Sequence, residues 1–371
     1  MTKDLQRILH AKNLTDSEII TLLGLTDPEE CRALQERAYA ITTDQIGSNV
    51  YLRGLIEVSN ICTANCRYCG IRKNNHSVER YTLDEDVIVN CALHAAKRGY
   101  GSIAIQAGER RDEKWILFIE HVLRRIHLLS VSESLPHGLG ITLSLGEQTL
   151  ETYERWAEAC GNRIGLRYLL RIESSNPVLF QKLHCTPGRH EKILEHRYQA
   201  LINLRQAGYQ VGTGVMIGLP GQTLEDLKND IRTFQQIDAD MIGMGPYITS
   251  LGADMVSDGM MSKGPLLQLA YNMIATTRLV MKDVNIATAT ALDTLDPNGR
   301  VGGILHGCNV VMPNITPQAT RANYQLYDNK AGTEVGAESN ILMERKIIEM
   351  TGRTLGLNQL GSSPHWVARS N

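Results

Sequence analysis

The run Asn60-Ile61-Cys62-Thr63-Ala64-Asn65-Cys66-Arg67-Tyr68-Cys69-Gly70 places three of the chain's eight cysteines in a CxxxCxxC array, with a tyrosine before the last thiol. A tight loop with this spacing can direct three thiolates to three irons of one cubane. The number of thiols is informative, because a [4Fe–4S] cluster with three protein ligands keeps one iron open for a chelating substrate or cosubstrate. A structural zinc site would want a fourth ligand, for which His76 lies close enough in sequence, and three unrelated buried cysteines are the remaining alternative. The other cysteines, Cys31, Cys91, Cys160, Cys185 and Cys308, are scattered as small core or surface residues are, and eight are too few for a disulfide scaffold at this length.

Other residues have the type and spacing for a ligand site. Arg171 and Glu173 stand two apart on a predicted strand, so they point to one side and can emerge at its C-terminal end, where βα barrels place their chemistry. Such a pair suits a zwitterionic ligand or forms an ordinary ion pair. Thr142 and Ser144 alternate with Ile141, Leu143 and Leu145 on an otherwise apolar strand, and hydroxyls pointing into a barrel need partners. Met216, Met241, Met244 and Met312 fall on predicted strands; they would suit a soft-metal cavity, but adaptable core filler is the better reading. His184, Cys185, His190 and His196 gather around a turn and a helix without ligand spacing and read as surface or supporting residues.

The elements that must position these groups follow from periodicity. Residues 1–48 are helical in pattern, with Asp16 and Asp27 as caps. From Leu52 onward short β-rich runs alternate with helical stretches, at 52–58, 102–106, 140–145, 166–172, 210–217, 240–245, 284–290 and 308–312. Eight such strands close a barrel, although the same alternation also allows an open doubly wound sheet. Helices are predicted at 84–98, 148–160, 189–206, 223–236 and 264–281, with Gly99 and Gly208 ready to end two of them. The expected fold is α/β: a (βα)8 TIM-type barrel over 49–371 ending in a helical segment, with an N-terminal helical extension over 1–48.

With 43% hydrophobic and 21% charged residues the chain has ample material for a core, and its net charge of −2 provides no broad basic field for nucleic acid or an anionic membrane. A small substrate is expected. The charged start lacks the apolar core of a secretory signal, and no run approaches the length of a membrane span, so the expected location is cytoplasmic.

The CxxxCxYC loop after the first strand resembles the radical S-adenosylmethionine (SAM) superfamily, whose open iron binds the amino and carboxylate groups of SAM. The resemblance implies that one electron from the reduced cluster cleaves the sulfonium to methionine and a 5'-deoxyadenosyl radical. It extends to Arg72, Asn74-Asn75, Arg80-Tyr81, Leu143-Ser144-Leu145-Gly146-Glu147, Arg167 to Glu173, Gly218-Leu219-Pro220-Gly221-Gln222-Thr223, Asp240 to Pro246 and Asn309 to Asn314. Together these blocks, from about Arg53 to Lys330, resemble the HydE family of maturases, which help build the di-iron subcluster of FeFe hydrogenases.

That likeness implies one [4Fe–4S] cluster on Cys62, Cys66 and Cys69, and SAM contacts from Tyr68, Gly108, Glu109, Arg171, Glu173 and Arg197. It implies a substrate cavity touching Thr142, with Thr290, Met312, Asn314 and Tyr324 as lesser candidates. It also implies a reducing electron donor, a small-molecule or iron-complex substrate and companion maturases. Ala107 stands where the family usually has serine, so an anion contact there is in doubt. Many HydE proteins carry a second cluster on C-terminal cysteines; this chain has none after Cys308, and Lys330 to Asn340 takes that place. A methylornithine synthase-like mutase and a non-catalytic carrier of an iron cofactor are the competing readings.

Overall fold

In a computed structural model of the protein, which describes residues 2–184, 192–255, 259–331 and 337–370, the strands run in the order of the chain. They are β1 Asn49–Ser59, β2 Ser102–Ala107, β3 Gly140–Ser144, β4 Leu166–Leu169, β5 Gln210–Thr213, β6 Met216–Ile217, β7 Met241–Gly243, β8 Gly245–Pro246, β9 Asn285–Ala287, β10 Val310–Val311 and β11 Thr354–Leu355. The parallel order β1-β2-β3-β4-β5-β7-β9-β10 closes through the pairing of β10 with β1, which makes an eight-stranded barrel rather than an open sheet. β6 and β8 pair with each other beyond β5 and β7, and β11 lies along the start of β1.

Alternation sorts the strand residues into two shells. Ile103, Ile105, Ile141, Leu143, Tyr168 and Val211 are buried under the helices, where burial of each stabilises the fold by roughly 1.5–3 kcal/mol. Inward positions are small in the middle, at Ala104, Thr142, Gly212, Gly243 and Ala287. At the N-terminal end of the barrel, polar side chains meet the C-terminal tail: Arg53 and Asn285 donate to Gly361 O, Arg167 and Ser102 to Leu360 O, and Gln210 to Ser362. The barrel is thus plugged at its base, while Gln106, Ser144, Leu169, Gly243 and Met312 keep partial exposure toward the other end.

Several predicted elements are adjusted. The strand expected at 166–172 stops at Leu169, so Arg171 and Glu173 lie beyond it, and Glu173 takes a left-handed backbone, φ 63°, that ends the alternation. The runs expected at 210–217 and 240–245 each break in two at Gly214 and Met244, because Gly214 packs so tightly on the Gly243 backbone that no Cβ would fit. Thr290 opens the helix Thr290–Leu295 instead of closing a strand. Thr15, not Asp16, caps the helix Asp16–Leu23, in a capping box with Glu18; Asp27 caps Pro28–Gln45 as expected. A further helix, Glu113–Ser130, fills the slot between β2 and β3.

The helix Pro28–Gln45 packs on Lys263–Val280, whose Asn272 donates to Leu23 O and Leu25 O, and one apolar core runs from Leu5 through the barrel. Among the described residues no helix is long and apolar enough to cross a membrane.

Candidate functional site

The cysteine loop leaves β1 at the C-terminal end of the barrel and is tied to its neighbours through backbone. The Thr63 amide and hydroxyl both donate to Glu109 O at 2.9 Å, the Arg67 amide to Leu183 O at 2.8 Å, and the Lys73 amide to Ala64 O at 2.8 Å. Gly108 is required by this close approach: a Cβ there would meet Ile61 O and come within 2.8 Å of Cys62 Cβ.

Burial and the charge of Cys66 push the Cys62 thiol up to about 11, and burial with the charges of Cys66 and Cys62 pushes Cys69 up as well. Such a set calls for cationic iron to stabilise the thiolates. Among the described residues no three Cys, His, Asp or Glu side chains surround a single ion position, and His76 is exposed. A cubane, which takes each thiolate on a different iron, fits this donor set better than zinc.

Beside the loop, Tyr68 Oη donates to Glu173 Oε1 at 3.4 Å, and its ring meets His184 edge-on at 5.6 Å. Arg171 approaches Glu173 Oε2 to 2.9 Å and donates to Val215 O. The two side chains pair as the sequence suggests, although the strand that was to align them has already ended. Arg197, on the helix Leu194–Gln206, donates through Nε to Glu147 Oε1 and through Nη1 to Arg171 O, so one guanidinium fork joins the segment after β3 to the segment after β4. Burial disfavours its charge, but Glu147 and Glu109 outweigh this and hold it above its ordinary value.

Glu109 is gripped by Lys192 Nζ at 2.7 Å and by the Glu147 amide at 3.0 Å. Burial would raise its carboxyl, but Lys192 and these hydrogen bonds draw it below the usual range. Lys192 and Glu147 escaped sequence reasoning; Glu147 lay within the quoted Leu143-to-Glu147 block, whereas Lys192 carried no signal.

Deeper in the mouth, Glu57 on β1 pairs with Lys330 and accepts from Asn314 Nδ2 at 3.1 Å. Lys330 also donates to Tyr324 O at 3.0 Å and sits 5.0 Å over the Tyr324 ring. Thr290 shares a 2.6 Å hydrogen bond with Tyr327, and Met312 keeps partial exposure. Thr142 is buried in the lumen with its hydroxyl unpartnered.

Met241 accepts from Arg53 at the base, Met244 is core, and Met216 packs near Tyr68, so the methionines surround no common point. His184, read as surface or supporting, is not at the surface but buried against Phe180 and Tyr68, and burial with the charges of Arg197 and Lys192 holds it well below its ordinary value. His196 is exposed; Cys185 and His190 lie outside the described residues.

Among the described residues, Arg171 Nε, Thr142 Oγ1, His184 Nε2 and Tyr247 Oη are buried around this mouth without hydrogen-bond partners, while Glu173 Oε2 meets the Arg171 guanidinium. Unpartnered atoms occur elsewhere in the molecule too, but these lie where a polar ligand beside the three-thiol loop would supply the missing bonds.

The sequence matches the model of the Radical SAM superfamily over residues 56–234. It is 36% identical over 348 residues to the [FeFe] hydrogenase maturase subunit HydE of Thermotoga maritima, across 94% of each chain. The 3-methylornithine synthase of Methanosarcina barkeri is 24% identical over 323 residues, 87% of this chain and 85% of that one. The crystal structure of methylornithine synthase (PylB) shares the fold with a TM-score of 0.77 and 21% identity, covering 95% of this chain and 97% of that one.

Proposed function

The chain belongs to the radical SAM superfamily, and from that premise we propose that it is a HydE-type maturase acting in assembly of the di-iron subcluster of FeFe hydrogenases. The observation that carries the site assignment is the three-thiol loop leaving β1 at the barrel mouth, tied to Glu109 and Leu183, with buried polar atoms that lack partners beside it. Full-length similarity at 36% to HydE, against 24% to the methylornithine synthase, favours the maturase over the mutase.

Cys62, Cys66 and Cys69 would hold a single [4Fe–4S] cluster, since the chain has no cysteine after Cys308 for a second. When bound, the reduced cluster supplies the electron for cleavage of SAM to methionine and the 5'-deoxyadenosyl group that attacks substrate. The protein's own groups orient and seal. Arg171 and Glu173 present opposite charges to a zwitterionic amino acid moiety, and Arg197 fixes their backbone. Tyr68 backbone and the Gly108-Glu109 turn line the place of the adenine and the amino group. Thr142, Thr290, Met312 and Tyr324 face the substrate, a small molecule or iron complex. The plug at the barrel base excludes water from that end. A reducing electron donor and companion maturases are the partners.

The test is anaerobic reconstitution followed by iron analysis, EPR of the reduced cluster with and without SAM, and assay of 5'-deoxyadenosine. About four irons per chain, a SAM-perturbed signal and cleavage are expected. A cluster indifferent to SAM, with no cleavage by any reductant, would overturn the catalytic reading in favour of a carrier. Formation of methylornithine would replace the maturase with the mutase.

A further inference from the structure

Two carboxylates on the helix Leu224–Ile237 stand behind the site rather than in it. Asp230 is fully buried; its Oδ1 accepts from both the amide and the hydroxyl of Ser175, each at 2.6 Å, while its Oδ2 has no hydrogen-bond partner among the described residues. One turn earlier, Asp226 accepts from Asn176 Nδ2 at 2.7 Å while closing the capping box of its own helix with Thr223. Asn176 in turn caps the helix Pro177–His184, accepting from the Val178 and Leu179 amides at 2.9 and 3.3 Å. That helix carries Phe180 and His184 to Tyr68 and Arg197.

The segment these carboxylates hold begins two residues after Glu173, at Ser175. A left-handed φ of 63° at a glutamate persists only where its surroundings fix it. The Glu173 amide donates to Gly214 O at 3.0 Å and its carbonyl accepts from the Met216 amide at 3.1 Å, which ties its own peptide groups to the segment after β5; beyond it the chain is next held by a distant side chain at Ser175, through Asp230.

We propose that Asp230 is a positioning residue for SAM: by anchoring Ser175 it holds Glu173 in its left-handed turn and so sets the geometry of Glu173, Arg171 and Tyr68. This rests on the reading that Glu173 and Arg171 receive SAM. The acceptor oxygen does the work, not the charge. Both donors go to Oδ1 and none to Oδ2, and burial pushes the carboxyl up to about 7 despite the Ser175 hydrogen bonds. An asparagine keeps the acceptor and puts its NH2 where Oδ2 has no partner. An alanine leaves two Ser175 donors facing a cavity.

The experiment measures 5'-deoxyadenosine formation against SAM concentration for the wild type, Asp230→Ala, Asp230→Asn and Ser175→Ala, with iron content and the SAM-free EPR signal recorded for each. Asp230→Ala is expected to raise KM for SAM about tenfold with kcat within about threefold, Asp230→Asn to stay within about twofold of wild type, and Ser175→Ala to fall between. Wild-type KM in an iron-loaded Asp230→Ala protein overturns the proposal, as does a loss of kcat at unchanged KM. An Asp230→Asn protein as impaired in KM as the alanine variant also overturns it. Should Asp230→Ala not fold, Asp230→Leu decides, since it fills the space without an acceptor whereas Ser175→Ala leaves the Ser175 amide on Oδ1: a KM equal to wild type refutes the anchor. A wild-type enzyme that cleaves no SAM refutes the underlying reading before any variant is compared, whereas cleavage with indistinguishable variants refutes only the role of Asp230.

Discussion

Gly108 carries out its part in the site by having no side chain. Its replacement by alanine is expected to push Ile61 and Cys62 outward, because the new Cβ would lie within 2.8 Å of Cys62 Cβ with backbone behind it. Iron bound after reconstitution should fall roughly twofold or more, read as iron per chain and visible absorbance. Arg197 tests the opposite quality, a fork that no other side chain supplies. Arg197→Lys should keep one contact of the two and raise KM for SAM about tenfold, measured in the cleavage assay, since an ammonium cannot reach Glu147 and Arg171 O together. The cysteines were legible because their spacing is local and chemically specific. Lys192 was not, because a single lysine beside a helix is solvated by default and its partner, Glu109, lies 83 residues away.

At the scale of elements, helices and strands appeared where periodicity put them, and the failures sit at strand ends. Arg171 and Glu173 were read as alternating on one strand; the strand ends at Leu169 instead, and Glu173 is itself left-handed, with its peptide groups bonded to Gly214 and Met216 from the segment after β5. The C-terminal helix Pro364–Ser370 shows a similar dependence on distant groups. Hydrogen bonds with Asp283, working against burial, and then with Asp238 raise His365 to about 9. A histidine whose folded value lies above its unfolded one stabilises the fold fully below about pH 6.5 and loses that stabilisation as the pH rises through about 9. Wild-type melting temperature should therefore decline over that window, while His365→Gln should start lower and run nearly flat, as thermal unfolding in a pH series would reveal.

At the scale of the molecule, the tail closes the barrel from beneath. Arg53 and Arg167 are buried guanidiniums whose acceptors include the carbonyls of Gly361 and Leu360. Deleting residues 360–371 should leave both short of partners and destabilise the fold by about 3–5 kcal/mol, measured by denaturant unfolding. The order of strands and helices, the three-thiol loop and the family resemblance are local patterns, so the sequence by itself determined them: alternation, helical period and cysteine spacing need no knowledge of what lies across the barrel. Closure of the sheet, the plug beneath it, the grip of Lys192 on Glu109 and the burial of His184 join residues far apart in the chain. Only the tertiary structure decided these, because their energies come from desolvation and charge pairing that exist once the barrel has brought the groups together.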